Sequence, residues 1–148
     1  MRKSVKGAVV TLGAMTAIAG STFVAGPAMA ASTPIGACGG GKMHVVDHID
    51  VKKNGKKVAT TYLLWDGTKK GGTNCVVTWK AKPNTKFVGA AIAKKGATHW
   101  TYDKGRGRKY STYAGPVKVT HAKGKCILFG GAYDTIGYQR ADWGHCGK

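Results

Sequence analysis

No glutamate occurs in this chain; its six acids are Asp47, Asp50, Asp66, Asp103, Asp134 and Asp142. That removes the Glu-plus-His arrangement of many secreted nucleases and leaves aspartates alone for paired-carboxylate glycoside chemistry. Most of these aspartates lie beside glycine, turn residues or lysine, the usual setting of a solvated turn residue. Serine is as scarce. After residue 30 only Ser32 and Ser111 remain, and neither sits in a Gly-x-Ser-x-Gly nucleophile elbow. Leucine beyond residue 30 is limited to Leu63, Leu64 and Leu128. There is no Cys-x-x-Cys pair of the zinc-site kind. There is also no internal repeat, no helical periodicity and no second long apolar run that could span a bilayer. These absences argue against an enzyme, against a resident metal or cofactor and against a helical domain.

What is present begins at the N-terminus. Arg2, Lys3 and Lys6 precede an apolar run from Ala8 to about Val24, and Ala28-Met29-Ala30 follows. A basic start, an apolar core and a small-x-small site are the layout of a secretory signal peptide. Thr11, Gly13, Thr16 and Gly20 interrupt the run too often for a comfortable membrane anchor. Residues 1–30 are therefore expected to be removed on export. Residues 31–148 are expected to form a single mature domain with no transmembrane segment after processing.

The four cysteines, Cys38, Cys75, Cys126 and Cys146, all fall in that mature part. An even number in a small exported domain implies two disulfides, with three pairings open. The formal charge of the whole chain is +18. Such an excess speaks to partners and solubility. Phosphate-rich wall polymer, nucleic acid and anionic lipid are the extracellular surfaces that would attract it.

Twenty-three glycines make the chain roughly twice as glycine-rich as the usual ~7%. Valine, threonine, tyrosine and tryptophan are frequent, which favours strands. Expected strands run from Met43 to Val51, Lys56 to Trp65, Asn74 to Lys80, Phe87 to Ala93 and Thr98 to Asp103. Further extended pieces cover Tyr110 to Ala114, Val117 to Thr120, Cys126 to Phe129 and Tyr138 to Cys146. Asn54-Gly55 between the first two is a strong hairpin signal, because both central residues of a type I′ turn need positive φ. Gly115-Pro116 reads as a bend, and residues 31–42 read as irregular, tied down by Cys38. Eight or nine short strands at regular spacing predict an all-β fold, a small antiparallel β-sandwich or barrel stapled by two disulfides.

Several blocks in order carry a resemblance. They are Ala37-Cys38-Gly39 with Val45-Val46-Asp47, Asn74-Cys75-Val76-Val77-Thr78, Tyr113-Ala114-Gly115-Pro116-Val117, Gly124-Lys125-Cys126-Ile127 with Gly130-Gly131, and His145-Cys146-Gly147. Together they resemble the spore-associated protein A family of filamentous actinobacteria. The resemblance covers most of the mature chain. It implies a small exported protein of the spore or cell surface with no established enzymatic activity. The crowding of lysines in the first hairpin departs from that family.

Two basic clusters are the candidate anion-binding residues. Lys52, Lys53, Lys56 and Lys57 bracket the Asn54-Gly55 turn, and Lys104, Arg106, Arg108 and Lys109 form a compact basic loop. Trp100, Tyr102 and Tyr110 flank that loop and are candidate stacking residues, since aromatic faces take sugar or base rings while cations hold phosphates. Trp79 shares a face with Cys75 and Val77 and is a core candidate. His44, His48 and Asp50 share strand parity and could ligate zinc, but an exposed strand face explains them as well. Asp47 falls on the opposite face and must find hydrogen-bond partners if that face is buried.

The expected function is non-enzymatic. A secreted, highly basic protein of the cell or spore surface would dock on an anionic cell-wall or spore-surface polymer. A protein–protein module, acting as inhibitor or adaptor of a secreted toxin assembly, is the first alternative. An extracellular nucleic-acid binder is the second.

Overall fold

The computed structural model describes residues 31–104 and 110–147. The expected signal peptide, residues 1–30, and the candidate residues Arg106, Arg108 and Lys109 lie outside the described residues. Among the described residues there are eight strands: β1 (His44–Lys53), β2 (Lys56–Asp66), β3 (Thr73–Lys80), β4 (Val88–Lys94), β5 (Thr101–Tyr102), β6 (Tyr113–Thr120), β7 (Ile127–Tyr133) and β8 (Ile136–Gln139). They form two antiparallel four-stranded sheets, ordered β1-β2-β3-β6 and β5-β4-β7-β8. The expected all-β sandwich is therefore the architecture. Both disulfides are formed, Cys38–Cys75 and Cys126–Cys146.

The core between the sheets takes Leu63 and Val76 from β2 and β3, Val88, Ala90 and Ile92 from β4, Ala114 and Val117 from β6, and Ile127 and Phe129 from β7. Alternation along each strand sends these residues inward. At one point the sheets meet more closely than side chains allow. Thr61 and Thr78 hydrogen-bond to each other at 3.0 Å, and a Cβ on Gly131 would overlap both hydroxyls. Glycine at 131 lets the β7 backbone approach that pair.

The outer face of the first sheet is also buried, which is why β3 is almost entirely enclosed. Leu64, Cys75 and Val77 lie under Cys38 and Met43 of the N-terminal segment, and the Cys38–Cys75 disulfide ties that segment down. This places Trp79 differently from the expectation. It shares the outward face with Cys75 and Val77, is only half-buried, and stacks on Tyr113 with ring centroids 4.6 Å apart. The core between the sheets belongs to the other parity.

Other boundaries differ for local reasons. Residues 31–42, expected to be irregular, contain one helical turn, Pro34–Ala37. Thr33 Oγ1 accepts the Gly36 N–H at 3.0 Å, and Pro34 opens the turn. Strand β6 runs straight through Gly115-Pro116, with an irregular register against β3 between Val76 and Thr78 taking up the bend. The expected strand from Tyr138 to Cys146 is shorter: β8 ends at Gln139, and beyond it the Arg140 N–H donates to Phe129 O at 3.0 Å and Gly144 bridges to Ile127. Side chains hold this tail instead. Asp47 on β1 accepts from Arg140 Nε at 2.8 Å and pairs with His145 Nε2 at 2.8 Å, while Cys146 is tied to Cys126.

A candidate basic end and the groove beside it

Antiparallel pairing makes β1 and β3 run the same way in one sheet and β5 and β7 the same way in the other. Four connections therefore emerge at one end of the sandwich: the β1–β2 hairpin, the β3–β4 connection, the start and finish of the β5–β6 connection, and the β7–β8 turn. Contacts between them confirm the grouping. Lys53 Nζ of the hairpin lies 2.5 Å from Asp134 Oδ2 of the β7–β8 turn, and Lys86 Nζ of the β3–β4 connection lies 3.9 Å from the same oxygen. Asn84 donates its backbone N–H to Ser111 O at 3.0 Å and its Nδ2 to Tyr133 Oη at 3.1 Å.

The hairpin has the turn that its sequence demands, with Asn54 at φ 50° and Gly55 at φ 75°. Lys52 faces Lys57 and Lys53 faces Lys56 across it. Like charges opposed in this way are unfavourable unless neutralised. Asp134 offsets Lys53, and Asp50 lies 3.7 Å from Lys57. Lys52 and Lys56 are exposed, and neither is in an ion pair among the described residues. Lys82 and Lys104 are exposed on neighbouring connections of the same end. The strand directions thus bring the hairpin cluster and Lys104 to one end of the molecule.

Sequence reasoning missed what organises this end. Lys80, the last residue of β3, is only 3% exposed. Its ammonium donates to the carbonyl oxygens of Asn84 at 2.8 Å and Lys86 at 2.6 Å, and also to that of Tyr110. No carboxylate pairs with it among the described residues. Burial pushes its pKa below the ordinary lysine value. One signal was available: Lys80 shares parity with Val76 and Thr78, so a strand continuing to its end would carry it inward.

The candidate aromatic residues separate. Tyr110 packs against the core between the sheets. Trp100 and Tyr102 line a groove of about 420 Å³ on the outer face of the second sheet. Its floor has almost no side chains, because Gly89, Ala91, Gly130, Ala132 and Gly137 fall on that face. Phe87 lies over Gly89, and Gln139 and Asp103 complete the wall. Asp103 is 6% exposed; its Oδ1 accepts the Ala90 N–H at 3.1 Å, and its Oδ2 has no hydrogen-bond partner among the described residues. Neither the floor nor Asp103 stood out in the sequence.

His44, His48 and Asp50 are held apart as a ligand set. A register shift between Val45 and Asp47 puts His44 out of phase with His48, and Asp50 accepts from Thr60 Oγ1 at 3.0 Å. Among the described residues no three His, Cys, Asp or Glu side chains are grouped as a metal site. No helix among the described residues is long and apolar enough to cross a membrane. In comparisons with known proteins, no family model, no curated protein and no solved structure matches this chain.

Proposed function

We propose that this protein is exported and docks on an anionic extracellular polymer through the basic end of its sandwich. The observation that carries the reading is the convergence of Lys52, Lys53, Lys56, Lys57, Lys82, Lys86 and Lys104 on connections at one end. Among the described residues, Asp50 and Asp134 are the carboxylates paired with them there. The chain adds Arg106, Arg108 and Lys109 to the same β5–β6 connection.

Export is supported by the signal-peptide layout of residues 1–30 and by two disulfides, which persist in oxidising compartments. The resemblance to the spore-associated protein A family supports a place on the spore or cell exterior. Contacts between the described connections hold the lysine backbones beside one another, which favours binding to a repeating phosphate polymer.

The first test is retention. The processed protein, applied to immobilised inorganic polyphosphate and to purified phosphate-bearing wall fragments, should bind both and elute with sodium chloride. Passage through both columns at low salt would reject the reading. Tight, salt-insensitive capture of one secreted protein would favour a protein–protein module instead.

A further inference from the structure

No lysine is among the residues that line the groove on the second sheet, and its chemistry differs from that of the basic end beside it. Its floor is flat because Gly89, Ala91, Gly130, Ala132 and Gly137, residues without long side chains, take outward positions beneath it. Phe87, Trp100 and Tyr102 give it aromatic walls. Its volume of about 420 Å³ lies within the ~300–1,000 Å³ of ordinary small-ligand sites. Asp103 closes one wall, its Oδ2 enclosed and without a hydrogen-bond partner among the described residues. Gln139 supplies an amide that both donates and accepts.

We infer that this groove receives a neutral, hydroxyl-bearing pyranose ring, its apolar face against Trp100 and Phe87 and its hydroxyls on the Gln139 amide. An aromatic wall beside a carboxylate would also suit an organic cation. The charge of +18 on the chain opposes that, and Lys104 adjoins Asp103 in sequence. A polyol meets no such repulsion and uses both ends of the Gln139 amide. The inference deepens the polymer reading and rests on it: the polymer would present sugar units to the groove and phosphates to the lysines.

Gly137 supplies a clean test. A Cβ there meets nothing within 4 Å, and its backbone is not in the positive-φ region. Gly137→Val therefore fills the groove without disturbing the fold. Calorimetric titration would use tetra-N-acetylchitotetraose, cellotetraose and maltotetraose, with tetramethylammonium chloride as the cationic probe and inorganic polyphosphate as the anionic one. At least one tetrasaccharide should bind saturably to the wild-type protein, and tetramethylammonium should not. Gly137→Val and Trp100→Ala should each weaken that binding at least about tenfold. Gly137→Val should keep the wild-type melting temperature and polyphosphate affinity.

The inference is overturned if no tetrasaccharide binds, if tetramethylammonium binds in their place, or if Gly137→Val binds sugar as the wild type does. Polyphosphate binding without sugar binding would reject the groove and leave the basic end standing. Sugar binding without polyphosphate binding would do the reverse.

Discussion

The ammonium of Lys80 lies 2.6 Å from the carbonyl oxygen of Lys86, so a buried cation anchors the connection whose other lysines face solvent. The same ammonium holds Asn84 and Tyr110, residues of two different connections. A positive end is built on a positive anchor because backbone carbonyls, not carboxylates, satisfy it.

Replacing that anchor should be expensive. Lys80→Met keeps the bulk but leaves three carbonyls without their donor. Each buried unsatisfied group costs about 1–3 kcal/mol. Thermal unfolding should show a melting temperature lower by at least about 5 °C. An unchanged melting temperature would mean that water replaces the ammonium without loss.

Gly131 should tolerate nothing larger. A methyl group there overlaps Thr61 Oγ1 and Thr78 Oγ1. Overpacking of this kind costs about 1–3 kcal/mol, so Gly131→Ala should be destabilised by that amount in urea unfolding. Adding Thr61→Ala and Thr78→Ala should recover part of the loss, because the clash and its relief are coupled. Additive effects would contradict the close approach.

The Cys38–Cys75 bridge closes 37 residues and pins the segment that covers Leu64 and Val77. Loop closure alone gives it about 3–4 kcal/mol. Replacing both cysteines by alanine should cost at least this much. It should also make the N-terminal segment the first site of proteolysis. Titration of the denatured, unreduced wild type should find no free thiol.

Acid should loosen the fold through three aspartates. Burial raises the Asp47 carboxyl, but hydrogen bonds from Arg140, His145 and the His48 N–H outweigh it and hold the group below 3.8. The Thr68 hydroxyl lowers Asp66, and Lys53 lowers Asp134. Lowered folded values mean that the unfolded chain binds the protons more tightly. This stability is present above the ordinary value of 3.8 and is lost as pH falls through the folded values. Melting temperatures should therefore drop steeply below about pH 4, and Asp47→Asn should flatten the drop.

The hairpin was legible because its signal is local: Asn54-Gly55 dictates the turn, and the turn dictates which lysines oppose. The extended piece expected from Val117 to Thr120 likewise matches the second half of β6. What stayed hidden depends on distant partners. The bulge near Val46 breaks the parity that His44 would otherwise share with His48 and Asp50. Which face of β3 meets the second sheet is decided by the N-terminal segment covering the other, so Trp79 lost the core to Val76 and Thr78. The groove floor comes from small residues on β4, β7 and β8, and only strand pairing brings them together.

The most direct test of the central claim is a salt series on polyphosphate binding, comparing the wild type with Lys52→Gln/Lys56→Gln. These two lysines are exposed and take part in no ion pair among the described residues, so their removal should leave the melting temperature nearly unchanged. Each phosphate contact releases condensed counterions, so log affinity should fall linearly with log salt. The double variant should bind more weakly, with a slope shallower by roughly 1.4 to 1.8 units. Binding that ignores salt, or identical slopes for both proteins, would contradict docking through the basic end.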